Sequence, residues 1–168
     1  MSGGVRRIGA ALALVVMLVG SAAAMDARPL AFDEVVARAD CIVHGTVAEV
    51  APGRDADGIP ATWITLDVAD CLKGAVGPRL VIKQVGVPTP LDDGALLRVP
   101  GLPRYRAGDE VVLFLHRPSG RGFTSPVGLG QGVYRVKRRG GERVVLPTSG
   151  VAEALPVFLD RVRGRAGR

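Results

Sequence analysis

GLPRYRAGDEVVLFLH, Gly101 to His116, is the stretch on which the fold turns. Its end, Val111 to Leu115, is a run of five apolar residues preceded by Ala107-Gly108-Asp109, a turn signal. A short continuous apolar run bounded by a turn is the pattern of a strand buried on both faces. EVVLFLH therefore predicts a central strand. The lead-in sets Tyr105 between Arg104 and Arg106, which reads either as an anion-holding loop or as a loop laying its aromatic ring on a sheet. The second reading accounts for every residue without a substrate. Asp109 and Glu110 are neighbours, so on extended backbone they point to opposite faces. A paired-carboxylate mechanism needs two carboxyls converging on one substrate atom, and this pair does not offer that.

Working outward, Phe32, Val35, Val36 and Ala39 repeat at i, i+3, i+4 and i+7, which predicts a short amphipathic helix. IVHGTVAEV (Ile42–Val50) and TWITLDVADC predict two strands joined through the turn cluster PGRDADG. Gly45, inside the first, marks a bulge. With the hairpin centred near Ala56, Cys41 falls opposite Cys71, and these two cysteines are the whole complement. In an oxidising compartment such a pair reads as one disulfide. RLVIKQV predicts a third strand. Residues 86–106 are an irregular, Pro- and Gly-rich loop, the kind of segment that carries function when a scaffold has one. VYRVKRRGGERVVL predicts two strands joined by Gly140-Gly141, with Arg139 and Glu142 as an opposite-charge pair beside the turn. LPVFLDRVRGR predicts a closing helix with Pro156 in its first turn, followed by a basic tail over 161–168. The tally is mainly β: a small five- to six-stranded, OB-like barrel with a short N-terminal and a C-terminal helix.

MSGGVRRIGAALALVVMLVGSAAAM has the parts of a secretory signal: Arg6 and Arg7, an apolar run from Ile8 to Val19, then small residues. The run is short for a membrane span of ~20 residues. Residues 1–24 are thus expected to be a cleaved signal peptide and 25–168 a single exported domain, periplasmic or secreted, touching membrane only if the signal is retained. Removing Arg6 and Arg7 lowers the net charge from +6 to +4. With 19 Arg against 3 Lys in a Gly-, Ala- and Val-rich chain, the arginines carry a compositional bias and are weak evidence of chemistry by themselves.

FDEVVARADCIVHGTV, TLDVADCLKG, PGLPRYRAGDEVVLFL and VGLGQGVYRV together resemble a family of secreted, mostly uncharacterised bacterial proteins. Its fold is similar to the OB barrel of the tissue inhibitors of metalloproteinases. The resemblance implies a fold and an export route. It does not transfer the inhibitors' mechanism, which needs an N-terminal cysteine to chelate zinc, whereas this chain is expected to begin at Met25.

No catalytic constellation stands out. His44 and His116 are the only histidines, and neither HExxH, CxxC nor HxH spacing occurs. A metal-binding or hydrolytic alternative would have to gather His44, His116 and a carboxylate such as Asp67 or Asp109. Ser125 and Ser149 lie in turns without a GxSxG elbow. The glycines of GLGQG precede a strand, not a helix, and no GK[ST] follows, so they read as a corner and not a phosphate loop. Basic clusters occur at Arg135, Lys137, Arg138 and Arg139 and at Arg161, Arg163, Arg165 and Arg168. A 4% aromatic content argues against nucleic acid, which such folds grip by stacking. The leading expectation is a cofactor-free, non-enzymatic binding module for an unknown protein or envelope partner, with a peptidase-inhibitor-like role as its narrower form, by fold analogy alone. Its candidate loop residues are Leu91, Asp92, Asp93, Leu97, Arg98, Arg104, Tyr105 and Arg106. A basic adaptor for anionic envelope polymer is the other alternative.

Overall fold

The computed structural model describes residues 28–147 and 151–167. The expected signal peptide, Ser149 and Arg168 lie outside them. Among the described residues no helix is long and apolar enough to cross a membrane. Helix α1 (Phe32–Arg38) leads into β1 (Cys41–Arg54), β2 (Pro60–Lys73) and β3 (Arg79–Val85); β4 is Glu110–Leu115. A short 3-10 turn, Leu129–Gly132, precedes β5 (Val133–Arg139), β6 (Glu142–Leu146) and β7 (Glu153–Ala154), and helix α2 (Leu155–Ala166) closes the chain.

The strands form one antiparallel sheet of seven in the order β3-β2-β1-β4-β5-β6-β7. β4 is its middle member, as its apolar run predicts. The expected small, mainly β, five- to six-stranded OB-like barrel is met in part: among the described residues the fold is mainly β, one unclosed antiparallel sheet with a short N-terminal and a C-terminal helix. There are seven strands, and the edges β3 and β7 do not meet. The physical reason is that the chain after β4 adds β5, β6 and β7 outward instead of returning along β3. It touches the β3 edge through a parallel bridge of Lys83 with Phe123, where the Thr124 N–H donates to the Lys83 carbonyl at 2.8 Å.

Alternation along β4 divides the core in two. Val112 and Phe114 face the helices, joining Val35, Val36, Phe158, Leu159 and Val162. Val111, Leu113 and Leu115 face the other way, where Val43, Ile64, Leu66 and Tyr105 of the long loop pack. On the helix face, Phe32, Phe114, Tyr134 and Phe158 make mutual ring contacts, the closest with centroids 4.9 Å apart. Tilted and edge-on aromatic pairs contribute ~0.5–1.5 kcal/mol each beyond their burial. These rings fasten both helices to the centre of the sheet.

Two glycines are required by the path of the chain. The register of β1 against β2 shifts between His44 and Gly45, and a Cβ at Gly45 would lie 2.4 Å from the Asp67 carbonyl oxygen. Gly140 and Gly141 both have positive φ, 58° and 88°, as the two-residue turn between β5 and β6 demands.

The cysteine pairing is a second correction. Cys41 and Cys71 are free thiols. The β1–β2 turn is built by Asp55, whose Oδ1 accepts the N–H groups of Asp57 and Ile59 at 3.0 and 2.8 Å. This centres the hairpin on Asp57 instead of Ala56, so Arg54 pairs with Pro60 and Cys71 lies opposite Val43. Gly74 sits beside Cys41, and the Cys71 thiol lies 3.4 Å from the Gly74 carbonyl oxygen.

Candidate functional site

The loop of residues 86–106 is pinned where it would otherwise be free. Gly86, with φ of +89°, lets the chain double back so that the Val87 N–H donates to the Leu97 carbonyl at 2.9 Å. A Cβ at Gly86 would sit 2.6 Å from that same oxygen. At the loop tip, Asp93 Oδ1 accepts the Ala95 N–H at 2.9 Å and Oδ2 accepts Arg54 Nε at 2.7 Å. These contacts hold the Asp93 carboxyl below the usual carboxylate range, the backbone bond foremost. At the far end Tyr105 is inserted into the sheet core at 8% exposure, and burial pushes its phenol well above the ordinary tyrosine range, opposed only weakly by Arg135.

Between this loop and the ends of β1, β2 and β3 lies a pocket of about 320 Å³. Thr62 and Ile64 of β2, Gln84 of β3 and the segment Pro100–Tyr105 are among its walls. The Gln84 Nε2 donates to the Pro103 carbonyl at 3.1 Å, which fixes which way the amide faces. Its Oε1 is buried and has no partner, the one such side-chain atom among the described residues. A buried acceptor left unpaired costs ~1–3 kcal/mol.

The candidate loop residues therefore separate into groups. Leu97, Arg98, Arg104 and Tyr105 line the pocket, while Leu91, Asp92 and Asp93 belong to the outer arm and do not. Arg106 lies just past it, its backbone N–H donating to Asp109 Oδ2 at 3.0 Å. Asp109 also binds Arg135 at 2.8 Å, and Arg135 reaches on to the Arg104 carbonyl. The stretch that opens onto β4 is thus a pinned lead-in with Tyr105 as its anchor.

The histidines occupy different environments. His44 is 3% exposed, with Nδ1 2.9 Å from Asp70 Oδ2 and Nε2 2.9 Å from Glu110 Oε1. Arg163 of α2 binds Asp70 at 2.9 Å and Arg143 of β6 binds Glu110 at 3.1 Å. The result is a chain of five groups, Arg143–Glu110–His44–Asp70–Arg163, tying β6, β4, β1, β2 and α2 together. A neutral imidazole has one N–H, so donation across both contacts requires one further proton on the ring or on a carboxyl. With both nitrogens engaged and the ring sealed from solvent, His44 has nothing to offer a substrate.

His116 lies just beyond β4, its N–H donating to the Ser125 carbonyl, while His44 pairs with Val112 four residues earlier. Asp67 is taken by Arg79 and Asp109 by Arg135. The grouping needed for a metal or hydrolytic centre is therefore not assembled by these residues, and among the described residues no set of three or more His, Cys, Asp and Glu is placed to hold a metal. Sequence reading picked neither Asp70 nor Glu110 as a partner of His44. The opposed directions of Asp109 and Glu110 were the available signal, since they send Glu110 to the His44 face.

The basic clusters are also sorted by the structure. Of the expected basic tail, Arg161, Arg163 and Arg165 lie in the last turns of α2 and are compensated: Arg161 by Glu153, Arg163 by Asp70 and Asp160, Arg165 by Asp33. Comparison with models of known protein families finds none that matches the chain, and no curated protein matches it in sequence.

Proposed function

We propose that this chain is an exported, non-enzymatic binding module of OB-like design. In this reading it receives an apolar segment of a partner protein in the pocket under residues 86–106. The observation that carries it is a largely apolar pocket with Gln84 in its wall, a residue whose Oε1 is closed to solvent and without a partner. Pockets that take ligands are mostly apolar with a few placed polar groups and begin at ~300 Å³, so this one suits one or two side chains of an extended segment. The partner's backbone or side-chain donor would complete the glutamine. The OB-like part of the reading is supported by β1, which pairs with β2 and β4 on its two edges, and by the Lys83–Phe123 bridge, which brings the later chain toward β3. Export rests on the residues of the N-terminal signal pattern.

A photo-crosslinking residue placed at Leu97, and separately at exposed Val157 on α2, tests this in expressing cells. A discrete adduct at Leu97 that is lost in Gln84→Leu and not seen at Val157 is the expected result. Identical adducts at both sites, or an adduct at Leu97 indifferent to Gln84→Leu, would refute the pocket as the seat of binding.

A further inference from the structure

Most cations of this chain are neutralised where they stand. Arg28, Arg38, Arg54, Arg79, Lys83, Arg117, Arg121 and Arg143 each pair with a carboxylate, as do Arg135 and the α2 arginines. Lys73 and Arg98 are bonded to carbonyl oxygens. Among the described residues, the cations with neither kind of partner are Arg104, Arg106, Lys137, Arg138 and Arg139. All five are exposed. They fall in two segments that the structure stitches together, because Arg135 of β5 binds both the Arg104 carbonyl and Asp109. Of the nearby acids, Asp109 and Glu110 are taken by Arg135 and Arg143. That leaves Glu142, opposite Arg139 in the β5–β6 register, and Glu49, two residues past Val47, whose backbone pairs with Gly108 and Asp109.

We propose that the part of this uncompensated set on the loop face, Arg104 and Arg106 with Lys137 and Arg139, is a docking site for a soluble linear polyanion. Arg138 alternates to the helix face with Tyr134 and Val136. Lys137 and Arg139 alternate along β5 and so share a face, ~6.8 Å apart at the rise of an antiparallel strand. That spacing meets an extended polymer carrying an anionic group on successive units. The Gly140-Gly141 tip leaves the end of the row without side chains to obstruct a long chain. A membrane surface fits less well. The exposed large apolar residues are Val81, Leu96, Val99, Val151 and Val157, and none lies on the hairpin or in 104–106, whereas interfacial binding wants an apolar face beside the cations. Single-stranded nucleic acid would want stacking rings, and the two patch segments expose none, Tyr105 being buried. The patch shares Arg104 with the pocket wall but makes no use of Gln84, so Gln84→Leu, which tests the pocket, leaves it unchanged.

The test is binding of end-labelled long-chain inorganic polyphosphate, followed by fluorescence anisotropy across a salt series. Each cation near an anionic surface is worth about fivefold in affinity. The variant Arg104→Gln, Arg106→Gln, Lys137→Gln, Arg139→Gln is therefore expected to lose about 600-fold at low salt. A charge-matched control removes four paired arginines instead: Arg38→Gln, Arg79→Gln, Arg117→Gln, Arg121→Gln. It should lose about threefold or less, since those charges are already opposed by carboxylates. Binding of the unaltered protein should weaken steeply as the Debye length falls from ~10 Å at 0.1 M salt to ~3 Å at 1 M. Equal losses in the two variants would reduce the effect to net charge and overturn the site. So would salt-insensitive binding, or tighter binding to anionic phospholipid vesicles than to polyphosphate that the patch variant leaves unchanged. All eight positions are exposed, and unchanged circular dichroism and thermal midpoint of the patch variant establish that a loss is one of binding.

Discussion

Replacing His44 by alanine removes the middle of the five-group chain and leaves both ends in place. Two charge-assisted contacts disappear, each 2.9 Å long, and hydrogen bonds to charged groups contribute ~1.5–3 kcal/mol apiece. Breaking a fully buried ion pair costs ~3–5 kcal/mol because the remaining charge is stranded. Here the stranding is partial: Asp70 and Glu110 keep Arg163 and Arg143, and their side chains are 33% and 24% exposed. The expected loss is therefore near the bottom of that range, about 3 kcal/mol with the void left by the ring included. Urea unfolding followed by circular dichroism measures it as a lower midpoint at unchanged slope. His44→Gln keeps some of the volume and can donate to one carboxylate at a time, so it should lose about half as much. Combining His44→Ala with Asp70→Asn should give a coupling of ~1–2 kcal/mol, the range for residues in one network. A His44→Ala loss under ~1 kcal/mol, or additive effects in the double variant, would show that the chain of charges is a surface coincidence and not a tie.

Three further outcomes follow from the same coordinates. Gly45→Ala drives a Cβ to 2.4 Å from the Asp67 carbonyl oxygen, a backbone collision that repacking cannot absorb, so a loss of at least ~3 kcal/mol in the same urea assay is expected; a neutral substitution would mean that the β1–β2 register slides. Burial raises the phenols of Tyr105 and Tyr134 above their ordinary 10.0. Their contribution is intact below pH 10 and is lost as pH rises past it, when the unfolded chain ionises first, so unfolding free energy should decline from pH 9 to 11 and decline less in Tyr105→Phe; identical profiles would contradict the burial of that ring. The exposed Cys71 should react promptly with a maleimide, while Cys41, half-buried with its thiol pushed up by burial, should react slowly until urea is added; a native protein with no reactive thiol and a mass that rises by two hydrogens on reduction would restore the disulfide.

Local pattern carried much of the fold. The apolar run of β4 announced a strand with two buried faces, Gly140-Gly141 announced its turn, and the stripes of α1 and α2 marked the faces they bury. What was not legible depended on register and on distance along the chain. Moving the hairpin centre from Ala56 to Asp57 is a matter of how one carboxylate folds back on two N–H groups, yet it carries Cys71 from Cys41 to Val43. The count of strands in the sheet depended on whether the chain after β4 returns to β3, which no local period encodes. At the site, His44 and Glu110 are separated by 66 residues and His44 and Asp70 by 26, so their meeting is a product of the β2-β1-β4 order. The loop was flagged by its Pro and Gly content, but Gln84, which gives the pocket its chemical demand, sat unremarked in a strand.

The partition of charge across the sheet connects these pieces. On the helix face the cations are consumed internally: Arg163 and Arg143 close the His44 chain, and Arg161 lies over the Phe32 ring at 3.9 Å while holding Glu153. Such contacts fix how α2 docks, and they leave little free valence for a partner there. On the opposite face the sheet is covered by a loop and not by a helix. Tyr105 seals the core, yet this side keeps an unpaired amide oxygen, on Gln84, and four unopposed cations, Arg104, Arg106, Lys137 and Arg139. Burying a polar atom without a partner and crowding like charges both work against stability. A chain that satisfies its polar groups so thoroughly on one face, and leaves them open on the other, places its stability on the first and its binding on the second.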